Sequence, residues 1–378
     1  MNQKKILIVS GEPSGDLHAS NLIKDLKTID PDISFFGMGG SLSKKSGAEI
    51  VFDITELALI GLVEVIKNIG TVNRAYRALL SSIDSRRPDL AILIDYPGFN
   101  LRLARELNRR GIPIVYYISP QVWAWGKGRI ELIKRYVKKM IVFFKFEEEL
   151  YKKYGVDAEF VGHPLLDTVK TSAAKKEVFK KYGLSEEKTT IALLPGSRTM
   201  EVKNLLPLMT ASAEMIAGQL TGLQFIISKH PDLSMDIYND AVKYSSLKIK
   251  IVEGDTYNIL GASDFAIVAS GTATLETAII GTPFLITYKI NALTAVIYRL
   301  LVRARFVGLP NIILKKEVIP EILQEAATPQ NISKCAVDIL KSDYALESMR
   351  TALKEVRSLL GKPGASKLAA QIVSKIIQ

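Results

Sequence analysis

Short apolar runs alternate with amphipathic stretches along almost the whole chain, and this alternation is the strongest constraint on its fold. The runs predict strands at Ile6–Val9, Ser34–Phe36, Leu90–Ile94, Ile114–Ile118, Met140–Phe144, Glu159–Val161, Ile191–Leu194, Gln224–Ile227, Ile249–Val252, Phe265–Val268 and Phe284–Ile286. Strands that alternate with helices join through right-handed crossovers into parallel sheets, and strands this apolar are buried on both faces. We therefore predict doubly wound α/β sheets.

The length of the chain predicts two domains, because 378 residues exceed the usual size of a single core. The alternation breaks at His163-Pro164 and resumes after a lysine-rich stretch. We place the domains at residues 1–168 and 169–345, followed by a helical tail at 346–378. Two such sheets would form a cleft at the carboxyl ends of their strands, where open sheets bind ligands.

Composition and charge exclude several classes of function. Lys and Arg number 50 against 39 Asp and Glu, which gives a net charge of +11 without any nucleic-acid-binding motif. We therefore expect phosphate-bearing substrates or anionic lipid as partners and no nucleic acid, although a generally basic composition would look the same. The single cysteine, Cys335, excludes an internal disulfide framework and suits a reducing cytoplasm. We see no signal peptide or membrane span, and the histidines lack metal-ligand spacing.

The strand-to-helix turn at Val268–Glu276 is the most informative local feature. Its apolar run ends in small residues, Gly271 permits a tight turn, and Ser270 or Thr272 is placed to cap the next helix. The free N–H groups and positive dipole of that helix suit a phosphate, and Glu276, one turn further on, suits the hydroxyls of a ribose. The segment favours a nucleotide diphosphate that carries a sugar, with an ordinary capped turn as the alternative.

A similar turn opens the second half of the chain at Leu194–Arg198. Gly196 and Ser197 would expose backbone N–H groups, and the guanidinium fork of Arg198 suits a diphosphate. Glu201 follows where it would pair with Arg198 or brace the next helix. We interpret the turn as part of a phosphate site, with a solvent-exposed arginine as the alternative.

Two loops in the first half are candidate functional sites. Ser10–Asp16 does not fit G-x-G-x-x-G and lacks G-K-[ST], which argues against dinucleotide-binding and P-loop proteins. We expect a ligand to pack closely on its glycines, or else Ser14 or Asp16 to cap the next helix. Asp95 follows the strand Leu90–Ile94 without an adjacent lysine or arginine. A carboxylate there suits a general base, with a loop-bracing aspartate as the alternative.

Three further segments combine apolar or aromatic residues with basic ones. Ser119–Arg129 contains both tryptophans, and it is either an acceptor wall or domain packing. Leu57–Ile69 and Ala295–Leu309 are amphipathic. Three arginines alternate with apolar residues in the second of them: Arg299, Arg303 and Arg305. This pattern suits contact with an anionic membrane surface, although a core helix would look similar.

These blocks together resemble the lipid-A-disaccharide synthase family, which consists of inverting glycosyltransferases with the GT-B fold. They occur in the family's order at Ser10–Asp16, Ile94–Asn100, Ser119–Trp125, Val161–His163, Leu194–Arg198, Ser270–Glu276 and Leu309–Asn311. The tryptophan segment is the most specific block. The resemblance implies two Rossmann-like doubly wound parallel-sheet domains facing across a cleft, with the last helix returning to the N-terminal domain.

The resemblance also implies a reaction, in which 2,3-diacylglucosamine passes from UDP to 2,3-diacylglucosamine 1-phosphate (lipid X). The products are a β-1,6-linked disaccharide and UDP. Asp95 would deprotonate the acceptor's 6-hydroxyl, and Arg198 would stabilise the departing diphosphate. The other implied substrate contacts are Glu12, Ser14, Ser270, Gly271, Thr272, Ala273, Glu276 and Asn311. No cofactor or metal is implied, so the arginine and a helix N-terminus take the place of a cation.

We expect a cytoplasmic protein that is peripheral on the inner face of the inner membrane, as a monomer or a homodimer. Two alternatives remain. One is another GT-B enzyme that uses UDP-N-acetylglucosamine, either a lipid-linked glycosyltransferase or the 2-epimerase, in which the tryptophan segment is not expected. The other is a non-catalytic protein that binds a sugar nucleotide or a lipid, against which Asp95 counts.

Overall fold

The computed structural model describes residues 3–58, 69–120, 122, 128–289 and 305–377. It divides the chain into two compact units: the first contains Met1–Pro164 and Leu360–Gln378, and the second contains Leu165–Leu359. The division falls near the boundary expected at residue 168. The tail expected from residue 346 begins inside a helix of the second unit.

The first unit is built on a sheet of seven parallel strands in the order β3-β2-β1-β4-β5-β6-β7. The strands are β1 (Lys5–Ser10), β2 (Ser34–Gly39), β3 (Ala48–Asp53), β4 (Leu90–Ile94), β5 (Ile114–Tyr117), β6 (Lys139–Val142) and β7 (Ala158–Phe160). The described helices of the first 164 residues are α1 (Pro13–Ile29), α2 (Ser41–Lys45), α3 (Thr55–Ala58), α4 (Ile69–Arg86), α5 (Pro97–Arg109), α6 (Gly128–Tyr136) and α7 (Lys145–Lys153).

The second unit has a sheet of six parallel strands in the order β10-β9-β8-β11-β12-β13. Its strands are β8 (Thr189–Leu194), β9 (Leu223–Lys229), β10 (Ile249–Glu253), β11 (Phe265–Ala269), β12 (Phe284–Tyr288) and β13 (Glu321–Leu323). Its described helices are α8 (Leu165–Thr168), α9 (Lys175–Tyr182), α10 (Thr199–Ala217), α11 (Met235–Val242), α12 (Thr256–Ala262), α13 (Thr272–Ile280), α14 (Leu309–Leu314), α15 (Pro329–Leu340) and α16 (Asp343–Leu359), with a 3₁₀ turn at Gln324–Ala326. The last helix, α17 (Ala365–Ile377), belongs to the first unit.

The central strand β1 shows how the first unit buries both faces of its sheet. Leu7 and Val9 enter one hydrophobic cluster, while Ile6 and Ile8 enter a second cluster on the opposite face. Successive side chains of a strand alternate between faces, so an entirely apolar strand requires a cover on each side. The second cluster includes residues of α1 and of α17, and Val373 of α17 is fully buried there.

The predicted class of doubly wound parallel sheets is confirmed, and every apolar run named above coincides with a strand to within three residues at each end. Two strands were not predicted: β3 and β13. Both lie at the edge of a sheet, and both mix buried with partly exposed residues. A strand with one neighbour needs less apolar sequence, and their apolar runs are short: Ile50–Phe52 in β3 and Ile322-Leu323 in β13.

Within the described residues, no helix is both long and apolar enough to cross a membrane. The same residues contain no group of three or more His, Cys, Asp or Glu side chains arranged to hold a metal ion.

Candidate active site

The strand order of each sheet reverses direction between two central neighbours, and the predicted motifs follow those strands. In the first unit, β1 pairs with β4, so the loops at Ser10–Asp16 and at Asp95–Asn100 leave the same sheet edge side by side. In the second unit, β8 pairs with β11, and the turns at Pro195–Arg198 and at Ser270–Thr272 are neighbours in the same way. Open α/β sheets bind ligands at such points of reversal. In each unit, the two loops that carry these predicted residues therefore lie side by side at the point of reversal.

The backbone at Asp95 is held in an uncommon conformation. Asp95 and Tyr96 have φ angles of 44° and 46°, which are left-handed values that few non-glycine residues adopt. The Asp95 carbonyl accepts hydrogen bonds from Asn100 Nδ2 at 2.8 Å and from the Tyr116 hydroxyl at 2.6 Å. Residues held in such conformations cluster at functional sites because the surrounding structure has to maintain them. The strain at Asp95 thus agrees with a functional role for its carboxylate.

The environment of Asp95 tunes its acidity. Burial and, second to it, the negative charge of Glu12 together raise the pKa of the Asp95 carboxyl from 3.8 to about 6, against a hydrogen bond from the Tyr96 N–H. A pKa just below neutrality leaves the group ionised at pH 7 and makes it a stronger base than an ordinary carboxylate. Glu12 lies at the N-terminus of α1 and is exposed, as is Ser14.

The glycine loop after β1 packs against protein rather than leaving open space. A Cβ at Gly11 would lie 2.3 Å from the ring of Tyr96, so only glycine fits there. Tyr96 in turn stacks on Phe99 with 5.7 Å between ring centroids. The expectation that a ligand packs on this glycine is therefore wrong at Gly11, because the neighbouring loop already occupies the space.

Asp16 caps a different helix from the one expected. Its Oδ1 accepts hydrogen bonds from the N–H of Gly40 at 2.8 Å and of Ser43 at 3.2 Å, and its Oδ2 accepts one from Leu42 N–H at 3.0 Å. These are the free N–H groups at the start of α2, whereas no side chain caps α1. Asp16 is therefore buried to join α1 to the loop after β2, and neither Ser14 nor Asp16 caps α1.

The segment after β5 is only partly described. Ile118 has φ 72°, and Ser119 Oγ donates to the Pro120 carbonyl at 2.8 Å and lies 2.9 Å from the Tyr151 hydroxyl. Gln121 and residues 123–127, which include both tryptophans, lie outside the described residues. The choice between an acceptor wall and domain packing therefore stays a prediction.

Two histidines of the first unit share an aromatic cluster that the sequence did not indicate. The His18 ring lies 5.3 Å from Phe143, and the His163 ring lies 5.0 Å from Phe144. Burial lowers the pKa of both imidazoles to about 4, so both are neutral at pH 7. Both rings therefore pack against these phenylalanines as neutral imidazoles.

In the second unit, the N-terminus of α13 remains open. Gly271 is the N-cap with φ 144°, and neither Ser270 nor Thr272 caps the helix with its side chain, contrary to expectation. The hydroxyl of Thr274 instead donates to the Gly271 carbonyl at 2.8 Å. In the described part of the chain, the N–H groups of Thr272 and Ala273 have no hydrogen-bond partner. They are the free donors that an anionic ligand requires.

Arg198 lies on the turn after β8, the strand that pairs with β11, which precedes this helix. Its side chain is 81% exposed, and its only ion pair among the described residues is with Glu201, at 3.3 Å. Glu201 also accepts hydrogen bonds from Ser197 N–H and from the Tyr288 hydroxyl, both at 3.3 Å. A Cβ at Gly196 would lie 2.7 Å from Glu201. Glu201 therefore braces the turn, and the guanidinium retains donors for a ligand.

Glu276 is partly buried, and Tyr257 on α12 donates its hydroxyl to Glu276 Oε1 at 2.9 Å. Burial raises the pKa of Glu276, while the hydrogen bond from Tyr257 and the charge of His230 oppose the rise. Neither Tyr257 nor His230 was predicted as a site residue, because nothing in their local sequence marks them. His230 follows β9 and Tyr257 follows β10, so only the assembly of the sheet brings them to the same sheet edge as Glu276.

Asn311 has no free hydrogen-bonding capacity. It is fully buried, and its Nδ2 donates to the Ile319 carbonyl at 2.7 Å and to Glu321 at 2.8 Å. Its Oδ1 accepts from the N–H groups of Val318 and Ile319 at 2.8 and 2.9 Å. A carboxamide has two donors and two acceptor sites, and all are used. The expected direct contact with UDP does not fit this position, and Asn311 braces the loop before β13 instead.

The amphipathic segments lie mostly outside the described residues, which omit 59–68 and 290–304. Arg299 and Arg303 fall in the second gap. Arg305 is exposed, with its guanidinium 5.3 Å from the centroid of the Phe306 ring.

Comparison with known proteins assigns the chain to a family. Residues 6–376 match the family model of lipid-A-disaccharide synthetase. A lipid-A-disaccharide synthase of Syntrophus aciditrophicus is 42% identical, with 100% of this chain and 99% of the relative aligned. One of Myxococcus xanthus is 37% identical, with 100% and 98% aligned.

Two solved structures share the fold at low sequence identity. UDP-GlcNAc 2-epimerase of Neisseria meningitidis, bound to UDP-GlcNAc, has a TM-score of 0.65 at 12% identity, covering 98% of this chain and 100% of that one. A Medicago truncatula protein complexed with UDP-glucose has a TM-score of 0.62 at 13% identity, covering 99% and 98%. These likenesses concern the fold alone, and they confirm the predicted GT-B class. From the full-length family match and the relatives above, the chain belongs to the lipid-A-disaccharide synthase family of glycosyltransferases.

Proposed function

We propose that this protein transfers 2,3-diacylglucosamine from its UDP derivative to the 6-hydroxyl of 2,3-diacylglucosamine 1-phosphate, forming the β-1,6-linked disaccharide and UDP. One observation carries the proposal. The chain matches the family over its whole length, and the residues that the family resemblance selects, Asp95, Arg198 and Glu276, follow the central strands of the two sheets.

Asp95 is the proposed general base. An alcohol is a weak nucleophile, and removal of its proton in the transition state contributes about 10²–10⁴-fold to the rate. Burial and Glu12 raise the pKa of Asp95 to about 6, which suits a base working at neutral pH. Glu12 and Ser14, both exposed beside this carboxylate's loop, are proposed to contact the substrates.

The second unit is proposed to hold the donor. The free N–H groups of Thr272 and Ala273, the turn at Ser270-Gly271 and the exposed guanidinium of Arg198 would bind the diphosphate. As the bond from the anomeric carbon to the diphosphate oxygen breaks, its electron pair passes to UDP. Fixed donors placed where that charge develops lower the barrier without reorganisation.

Direct displacement inverts the anomeric centre. The acceptor oxygen forms the new bond, its proton passes to Asp95, and UDP leaves on the opposite side. Arg198 and the helix N-terminus are proposed to supply the charge stabilisation in this step, which makes the mechanism independent of a metal ion. Asn311 contributes indirectly, because its carboxamide holds the loop before β13.

Turnover of the two substrates by wild type and by Asp95→Ala tests the proposal. We expect wild type to form the disaccharide, and the variant to bind UDP normally but to lose about 100-fold or more of the rate. Asp32→Ala, which removes an exposed carboxylate of the same unit, is the matched control. Wild type that binds UDP without making product would show that the acceptor is wrong. Equal rates for wild type and variant would remove Asp95 from the mechanism. Epimerisation of UDP-N-acetylglucosamine by a wild type that makes no disaccharide would indicate the 2-epimerase instead.

We also propose that Ala295–Leu309 attaches the protein to an anionic membrane surface. Basic residues between apolar ones place positive charge at the headgroups while apolar side chains enter the boundary below them. The test is co-sedimentation with anionic liposomes after Arg299, Arg303 and Arg305 are replaced by glutamate. Three exposed lysines of the second unit, replaced in the same way, provide the control for net charge: Lys176, Lys180 and Lys203. Binding that survives the arginine variant would contradict the proposal.

A further inference from the structure

The carboxylate of Asp95 is oriented by its own backbone rather than by a neighbouring side chain. Among the described residues, no side chain donates a hydrogen bond to its two oxygens, and the adjacent N–H of Tyr96 is the donor that acts on them. A base has to be held in place, because a displacement of about 1 Å can cost about 100-fold in rate. The direction of the Cα–Cβ bond, which the backbone sets, therefore decides where this carboxylate points.

The backbone at this point is in a conformation that needs support from its surroundings. Asp95 and Tyr96 are both left-handed, with φ angles of 44° and 46°. Close approach of the Cβ to a carbonyl oxygen disfavours this conformation for residues other than glycine. Aspartate adopts it more readily than most residues, but tyrosine does not, so two such residues in succession have to be stabilised by other contacts.

Asn100 and Tyr116 provide these contacts at the carbonyl of Asp95. Asn100, in the first turn of α5, donates its Nδ2 to the Asp95 carbonyl at 2.8 Å and to the Ile94 carbonyl at 3.1 Å. The hydroxyl of Tyr116, on β5, donates to the Asp95 carbonyl at 2.6 Å. Both residues are fully buried. The N–H of Asp95 donates to the Tyr117 carbonyl at 3.1 Å, so both ends of the residue are held.

The carboxamide of Asn100 is buried with half of its hydrogen-bonding capacity unused. Its Oδ1 is inaccessible to solvent and has no hydrogen-bond partner among the described residues. The orientation of the group follows from its two backbone partners, because carbonyl oxygens accept hydrogen bonds and cannot donate them. A buried oxygen without a partner destabilises a folded protein, and such groups in native structures call for a functional explanation. The site therefore uses the amide nitrogen, which spans two consecutive carbonyls, at the expense of the oxygen.

We propose that Asn100 and Tyr116 are positioning residues for the general base, holding the Asp95 carbonyl so that the carboxylate points at the attacking hydroxyl of the acceptor. This inference rests on the proposed function, since it assumes that Asp95 is the base. Asn100 and Tyr116 act through the backbone of Asp95. The proton of the hydroxyl passes to the Asp95 carboxylate, and neither positioning residue gains or loses one.

Steady-state kinetics of Tyr116→Phe and Asn100→Ala tests the inference. We expect kcat to fall by about 3- to 10-fold in Tyr116→Phe, the range of one hydrogen bond, and by about 10- to 100-fold in Asn100→Ala, which loses two. The KM values of both substrates should stay within about twofold, because the base acts in the transition state. Tyr76→Phe is the matched control, since its hydroxyl donates to the Arg102 carbonyl of the same unit at 3.4 Å, and its kcat should stay within about twofold of wild type.

A double-mutant cycle with Asp95→Asn separates positioning from a general structural role. Asparagine keeps the volume of Asp95 and tolerates its backbone conformation, but it is not a base. If the two residues act through the carboxylate, Tyr116→Phe and Asn100→Ala should change the residual rate of Asp95→Asn by less than about twofold. Single turnovers with enzyme in excess over substrate make this slow rate measurable. A residue that only stabilises the fold would lower the rate by the same factor in both backgrounds.

The outcomes separate this inference from the proposed function. A kcat within about twofold of wild type in Tyr116→Phe and in Asn100→Ala, or equal losses in both backgrounds, would overturn the inference while the transferase stands. If Asn100→Ala does not fold, Tyr116→Phe, which keeps the ring, decides by the same measurements. Equal rates for wild type and Asp95→Asn would remove the base and this inference with it. Absence of disaccharide from wild type would overturn the proposed reaction as well.

Discussion

Replacing Asp95 by asparagine should stabilise the first unit at neutral pH while removing turnover. The native carboxyl has a pKa of about 6 against 3.8 for an ordinary aspartate, because burial and Glu12 disfavour its charge. At about 1.36 kcal/mol per pKa unit, this difference corresponds to about 3 kcal/mol. Asparagine fills the same volume without a charge, and it tolerates the left-handed φ of 44° better than other side chains.

The direction of the pH dependence follows from the raised pKa. The native protein binds this proton more tightly than the unfolded chain, so the stabilisation by the protonated group is complete below about pH 4. It is lost as the pH rises through about 6. Asp95→Asn should therefore match wild type near pH 4 and exceed it by up to about 3 kcal/mol in unfolding free energy above pH 7.

Urea unfolding followed by tryptophan fluorescence measures this difference. Both tryptophans, Trp123 and Trp125, belong to the first unit, so their signal reports on it. Asp32→Asn, at an exposed position, is the control and should change stability by less than about 0.5 kcal/mol at every pH. A gain that does not vary with pH, or no gain at pH 8, would refute the account of Asp95 as a carboxylate whose charge opposes folding.

Three further changes test other contacts. Gly11→Ala should lower kcat/KM by at least about tenfold. The new methyl group would lie 2.3 Å from the Tyr96 ring and would displace the ring together with the backbone beside Asp95. Full activity would show that the ring moves freely. Asp16→Ala should cost about 3 kcal/mol or more in urea unfolding, since it leaves three N–H groups of α2 without their acceptor; a loss below about 1 kcal/mol would mean that water replaces it. Burial lowers the pKa of His18 and His163 to about 4, so as the pH falls the unfolded chain binds these two protons before the folded protein does. The free energy of unfolding should therefore fall between about pH 6.5 and 4, by up to about 3 kcal/mol per histidine. Titration of the two rings near pH 6.5 by NMR would contradict this.

Much of the fold could be predicted because central strands carry their own signal. β1, β4 and β11 are covered on both faces, so nearly every residue in them is apolar and the run is visible without any partner. The signal is weaker in edge strands, of which β7 and β10 were predicted whereas β3 and β13 were missed.

The candidate site was predictable where a residue follows its strand directly. Asp95, Arg198 and Gly271 each come within a few residues of a strand end, and parallel sheets bring such ends to one edge. Asn311 shows the limit of this reasoning: its motif was recognised, but only the packed loop shows that its carboxamide is consumed within the protein.

The sequence by itself determined the alternation of strands and helices, the two units and the identity of the motif residues, because each depends on local composition and period. The tertiary structure alone decided which groups meet. Asp16 reaches the N–H of Gly40, 24 residues away, and Glu276 accepts a hydrogen bond from Tyr257, which follows another strand. The acidity of Asp95 likewise depends on burial and on Glu12 from a neighbouring loop. Each of these interactions joins residues that follow different strands. The order of the strands in the sheet therefore decides which residues meet, whatever their separation along the chain.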